Sequence, residues 1–208
     1  MSFNICKTLE SSNLKPKKVA VMGPRPSDLV GYDDHAAYMT LKQQLTEIAY
    51  SLASAGVTEF VNDGSQGIAM LAFWSVDTLI SDYHMKVKNH LYMPCEQQND
   101  KWSEDGPFGN HYYDKMKSLA EIKQYHTTLP IGASYKDIAS TLRGCDEAII
   151  DDCDLLIAVY PSYDWMTQPK DETAASINYA VSIKKPVIQC LFDIKDGSPV
   201  ITQCTMIK

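Results

Sequence analysis

Residues 154–160 read Asp-Leu-Leu-Ile-Ala-Val-Tyr, a nearly unbroken apolar run. A strand with one wet face alternates apolar and polar side chains. A strand without that alternation has both faces covered, the usual state of a parallel sheet layered between helices. Other short apolar runs fall at 17–22, 57–61, 88–93 and 186–191, with a last short one at 200–203. Between them the period changes. Ala37, Leu41, Leu45, Ile48 and Leu52 recur at helical spacing, with Asp33 and Asp34 placed to cap that helix and Gly56 to end it. A second helix is predicted at 68–80, with Leu71, Ala72, Val76 and Leu79 facing inward. Others are predicted near 112–121, at 134–147 leading into Ile149-Ile150, and at 171–183. Alternating strands and helices imply right-handed crossovers. The predicted fold is α/β: a Rossmann-like three-layer sandwich with a mostly parallel sheet of five or six strands.

The 208 residues suit one such domain over 17–208, preceded by a polar, unpatterned arm at 1–16. An excursion at about 95–130 is rich in polar and aromatic residues, which favours order, and excursions of this length are commonly functional. Net charge is −7 and no basic stripe is present, which argues against binding nucleic acid through its phosphates but not against a small anion. None of Cys6, Cys95, Cys145, Cys153, Cys190 and Cys204 forms a CxxC pair, so they read as free thiols in a reducing, cytoplasmic setting. No stretch is apolar enough to cross a membrane, and no signal-peptide pattern is present.

In an open parallel sheet the ligand crevice lies beyond the carboxyl ends of the strands, where strand order reverses. Three loops leave such ends. The first holds Gly23, Pro24 and Arg25, whose planar guanidinium suits phosphate or carboxylate. The second holds Asp63, Gly64, Ser65, Gln66 and Gly67 between a strand and a helix, an arrangement that lets backbone N–H groups approach an anion or simply makes a tight turn. The third runs from Tyr160 and Pro161 to Glu172 and Thr173 at a helix start. Ser65, Gln66 and Thr173 are donors for phosphate or ribose, or helix caps; Asp63 accepts ribose hydroxyls, or caps its turn. Tyr160, Tyr163 and Trp165 suit either a stacking wall for a base or a subunit contact. Trp102, Phe108, Tyr112 and Tyr113 suit either a lid or local core. The five histidines show no HExxH and no nearby cysteine, so no metal site is expected. GxSxG, a Walker A lysine and GxGxxG are missing, so no cofactor is expected either.

Six segments carry a family resemblance: GPRPSDL at 23–29, VNDGSQGIAMLA at 61–72, MPCEQQNDKW at 93–102, AIIDDCDLLIAVYP at 148–161, ETAASINYA at 172–180 and KPVIQ at 185–189. In order and spacing the chain resembles the YpsA-like branch of the SLOG superfamily, Rossmann-like proteins related to Smf/DprA and to the LOG enzymes. The resemblance implies a crevice for nucleotides or nucleotide-derived signals formed by Gly23, Arg25, Gly64–Gly67, Glu172 and Thr173. Two departures stand out: Asp171-Glu172 replaces the glycines usual before Thr173, and Ala69 stands where an acidic residue is common. The LOG-type PGGxGTxxE signature is absent. The expectation is therefore a protein that binds a nucleotide or ADP-ribose-like molecule as sensor, adaptor or sequestering protein. The alternatives are an N-glycosidic hydrolase using Asp63 and Glu172, and a protein-interaction regulator with a vestigial pocket. A homo-oligomer is expected through Tyr163, Trp165 and Met166.

Overall fold

The computed structural model describes residues 5–129, 132–168 and 170–207, without the side chains of Tyr125 and Tyr135. Seven strands form one sheet: β1 (Lys18–Met22), β2 (Glu59–Asn62), β3 (Lys88–Met93), β4 (Ile122–Tyr125), β5 (Leu155–Tyr160), β6 (Val187–Lys195) and β7 (Ser198–Ile207). Their order is β4-β3-β2-β1-β5-β6-β7, and every pairing is parallel except that of β6 with β7. The helices are α1 (Ile5–Ser11), α2 (Met39–Ser54), α3 (Ile68–Ser81), α4 (Asn110–Leu119), α5 (Tyr135–Asp152) and α6 (Glu172–Ser182).

The apolar run at 154–160 explains the layering. Leu155, Ile157 and Val159 enter the core beneath α1 to α4, whereas Leu156, Ala158 and Tyr160 enter the core beneath α5 and α6. All six residues of β5 are buried, so neither face admits a polar side chain. Asp34 accepts the Ala37 N–H as the chain enters a 3₁₀ turn ahead of α2, and Gly56, at φ 102°, follows the helix's end. Helix α3 buries not only Leu71, Ala72, Val76 and Leu79 but also Ile68, Ala69, Met70, Phe73 and Ser75, so it is covered on more than one side.

Four features differ from the sequence reading. The sheet has seven strands, because the polar β4 gains an edge position beside β3 and β7 is longer than 200–203. Positive φ at Asp196 (50°) and Gly197 (76°) forms the two-residue turn that folds β7 back on β6, an Asp-Gly hairpin signal. Ile149 and Ile150 belong to α5, which runs on to Asp152. The segment expected to be a loose arm contains α1, whose Ile5 and Leu9, one helical turn apart, are 1% and 2% exposed. Within the aromatic excursion, Phe108 and Tyr113 are fully buried, and Phe108 meets Tyr38 edge-on at 4.9 Å, so these rings are core. No helix among the described residues is long and apolar enough to cross a membrane.

Since Leu9 sits wholly inside the larger core, Leu9→Ala is expected to destabilise the protein by roughly 2–4 kcal/mol in urea unfolding. A loose arm would give no measurable change.

Candidate functional site

Strand order reverses between β1 and β5, and the loops at the carboxyl ends of β1 and β2 meet there. Their glycines pack against protein. A Cβ on Gly23 would lie 2.7 Å from the Ile68 side chain, and one on Gly64 (φ 69°) 2.6 Å from Leu91 Cδ1. Gly67 (φ 95°) approaches the first loop so closely that a Cβ would stand 2.5 Å from the Pro24 carbonyl oxygen. The same carbonyl accepts the Ile68 N–H at 3.3 Å, and the Ser65 carbonyl accepts the Met70 N–H at 3.1 Å. Two of the first donors of α3 are therefore satisfied by the chain itself. The close approach that these glycines permit is between loop and loop.

Asp63 organises the second loop. One carboxylate oxygen accepts the Ser65 N–H at 3.1 Å, and the other accepts the Ser65 hydroxyl. Asn62 likewise accepts the Gly64 N–H at 2.9 Å. The excursion braces this turn from outside: the Gln98 side-chain amide donates to the Asp63 carbonyl at 3.0 Å, and Tyr113 holds Gln98 through a 2.6 Å hydroxyl bond. Arg25 reaches across to the start of α6, where its Nε donates to a Glu172 oxygen at 2.9 Å and its Nη2 forms an ion pair with the same oxygen at 2.9 Å. Asp171 caps α6 by accepting the Ala174 N–H at 2.7 Å, so a carboxylate of the chain stands at that helix end.

Gly23, Arg25, Asp63, Ser65, Glu172 and Thr173 meet around a nook of about 30 Å³, joined by Met22, Ala69, Asp146 and Ser176. A groove of about 220 Å³ between α5 and α6 shares Asp146, Glu172 and Ser176 with the nook and adds Arg143, Lys170 and Tyr179. Pro24, Gly64, Gln66, Gly67, Tyr160 and Pro161 line neither space. Gln66 instead donates to the Phe108 carbonyl at 2.8 Å, and Tyr160 lies in the core beneath α5 and α6. Trp165, expected on the surface, is buried, with its indole N–H on Gln189 at 3.2 Å; Tyr163 and Met166 are exposed. A ring followed by a short 3₁₀ turn gives no sequence periodicity, so its burial was not legible.

Asp146 is the main addition to the site. It interrupts the helical stripe of Leu142, Cys145 and Ile149 with a carboxylate, and that was the available signal. Burial drives its carboxyl well above the ordinary 3.8, and the negative charges of Asp63 and Glu172 push the same way. Burial also raises the Asp63 carboxyl, but the two bonds from Ser65 and the Arg25 charge oppose it. Of this interacting pair Asp146 is therefore the carboxyl pushed further toward its protonated form. Burial opposes the charge on Arg25 as well, yet Glu172 and Asp63 together hold its pKa above the usual value. Among the described residues no three His, Cys, Asp or Glu side chains are arranged to hold a metal ion.

Two consequences can be measured. Gly67→Ala must place a Cβ at a positive φ and against the Pro24 carbonyl, so it is expected to cost about 1–3 kcal/mol of stability. Asp146 has a folded pKa raised above its unfolded value, so its contribution to stability is present below about pH 4 and is lost as pH rises through the folded pKa. Asp146→Asn is neutral throughout and is expected to raise the thermal midpoint at neutral pH. It should also flatten the decline of that midpoint with pH. An unchanged profile would place the proton elsewhere.

A family model, YpsA, described as the YspA SLOG family, matches residues 19–193. No curated protein matches the chain.

Proposed function

The chain belongs to the YspA SLOG family, and on that premise we propose that its crevice binds a nucleotide or ADP-ribose-like signalling molecule, as sensor, adaptor or sequestering protein. The observation that carries this reading is the meeting of Asp63, Asp146, Glu172 and Arg25 beyond the carboxyl ends of β1 and β2. Vicinal ribose hydroxyls pair well with an ionised carboxylate beside a protonated one, since the first accepts and the second both donates and accepts. Arg25 supplies a cation for a phosphate.

Retention rather than turnover fits the same groups. Cleaving an N-glycosidic bond needs a free carboxylate beside the ribose to stabilise developing positive charge. Here both Asp63 oxygens are engaged by Ser65, and Glu172 is engaged by Arg25. One arrangement favours hydrolysis as a second reading: Asp146, pushed toward its protonated form, next to Asp63, whose charge Ser65 and Arg25 support, resembles an acid and its partner carboxylate.

Calorimetry against adenosine, AMP, NAD and ADP-ribose, with chromatography for released base, separates the readings. Saturable binding without product supports the binder; catalytic release of free base, lost in Asp146→Asn, supports the hydrolase; no response to any of them sinks both. Arg25→Ala is expected to weaken binding of the phosphorylated ligands by about 1.5–3 kcal/mol while leaving adenosine unaffected. Glu172→Gln releases Arg25 from an exposed ion pair and is expected to tighten AMP binding by up to about 1 kcal/mol.

A further inference from the structure

We propose that Cys190 and Cys204 are an oxidation site, at which a peroxide-class oxidant converts two facing thiols into a cross-strand disulfide. The two residues are register partners on the antiparallel pair β6 and β7, and their sulfurs stand 2.7 Å apart as free thiols. Directly opposed residues on antiparallel strands have Cα atoms about 4.5–5.5 Å apart, inside the span that a disulfide bridges. The bond therefore needs side-chain rotation rather than backbone movement. Other cysteines are placed differently. Cys6, Cys145 and Cys153 direct their thiols to backbone carbonyls, of Ser51, Tyr92 and Ile150, and Cys95 is buried.

Access divides the roles. Cys204 is partly exposed on the edge strand, whereas Cys190 is fully buried behind it. The Cys204 sulfur attacks a peroxide oxygen, the O–O bond breaks, and a sulfenic acid and one water form. The Cys190 sulfur then attacks the Cys204 sulfur, the S–O bond breaks, and the second water leaves with the Cys190 proton. Two thiols lose two electrons and two protons in all, and the peroxide is reduced to two waters.

The neighbouring rung gives this bond a place in the molecule. Gln189 pairs with Thr205 and holds the loop at 161–168 from both ends of its amide, accepting from the Trp165 indole and donating to the Ser162 carbonyl. Tyr163 reaches Thr205 from the same loop at 3.4 Å. That loop leads towards Asp171 and Glu172, so a covalent staple between β6 and β7 would fix the ledge on which it rests.

The test treats the full chain with hydrogen peroxide, alkylates the remaining thiols and maps peptides by mass spectrometry. The expected result is the loss of two hydrogens, two fewer alkylated thiols and one linked peptide pair containing Cys190 and Cys204, all reversed by dithiothreitol. The oxidised chain should also unfold at a higher temperature than the reduced one. Cys204→Ser and, as a second edge variant, Cys204→Ala should abolish the linked pair. A linked pair of other cysteines, over-oxidation of Cys204 without a link, or full alkylation of all six thiols after peroxide would each overturn the proposal.

Discussion

The contact between Gly67 and the Pro24 carbonyl, with 2.5 Å to the position of a missing Cβ, sets the geometry of the whole carboxyl end of the sheet. It lets the loop after β1 lie directly on the start of α3, and Ile68 completes it by donating to the same carbonyl. Arg25, the next residue, is thereby aimed across the sheet at α6 rather than into solvent. A side chain at position 67 would push the two loops apart and displace Arg25 and Ser65, which line the nook. Gly64 does the corresponding job beneath the turn, where Leu91 and Tyr113 fill the space a Cβ would need. Glycine here serves chain-to-chain packing, and the ligand space is left to the side chains around it.

Electrostatics at the nook follow from that packing. Three carboxylates and one arginine gather here, Asp63 and Asp146 on the buried side, and ionising both of those together would be disfavoured. The molecule relieves it in three ways. Asp63 receives two hydrogen bonds, Glu172 receives a guanidinium, and Asp146 is pushed toward its protonated form. Asp171, outside the nook, occupies the end of α6 where an anion would otherwise be drawn.

The layers of the fold were legible because they depend on period. The unbroken run of β5 and the stripe of α2 each describe their own burial, and both read the same in sequence and structure. What escaped depends on partners far away in the chain. The polar β4 becomes a strand only because β3 offers it an edge. The short α1 is a helix because α2 and β7 cover Ile5 and Leu9, since seven residues are too few to hold a helix alone. The site divides the same way. Residues on the three loops could be named from turn chemistry, and Gly23, Arg25, Asp63, Ser65, Glu172 and Thr173 do meet. Asp146 comes from a helix more than a hundred residues from Arg25, and the packing of α5 against α6 and against β1 and β3 brings it there.

The size of the nook limits what it can hold as it stands. About 30 Å³ admits little more than water, and the adjoining groove of about 220 Å³ falls short of the 300–1,000 Å³ typical of ligand pockets. Glu172, engaged by Arg25, belongs to both spaces, so the pair stands between them. Glu172 is 58% exposed, and ion pairs in such positions contribute about 0–1 kcal/mol. Charged hydrogen bonds from a phosphate to the same guanidinium are worth about 1.5–3 kcal/mol. On the proposed reading a phosphate competes with Glu172 for Arg25, and Glu172 lines both nook and groove. That competition is local to a surface carboxylate, while Gly67, Asp63 and their loops are fixed by contacts of their own. A crevice built this way takes its shape from loop packing, with the Arg25–Glu172 pair on its exposed side.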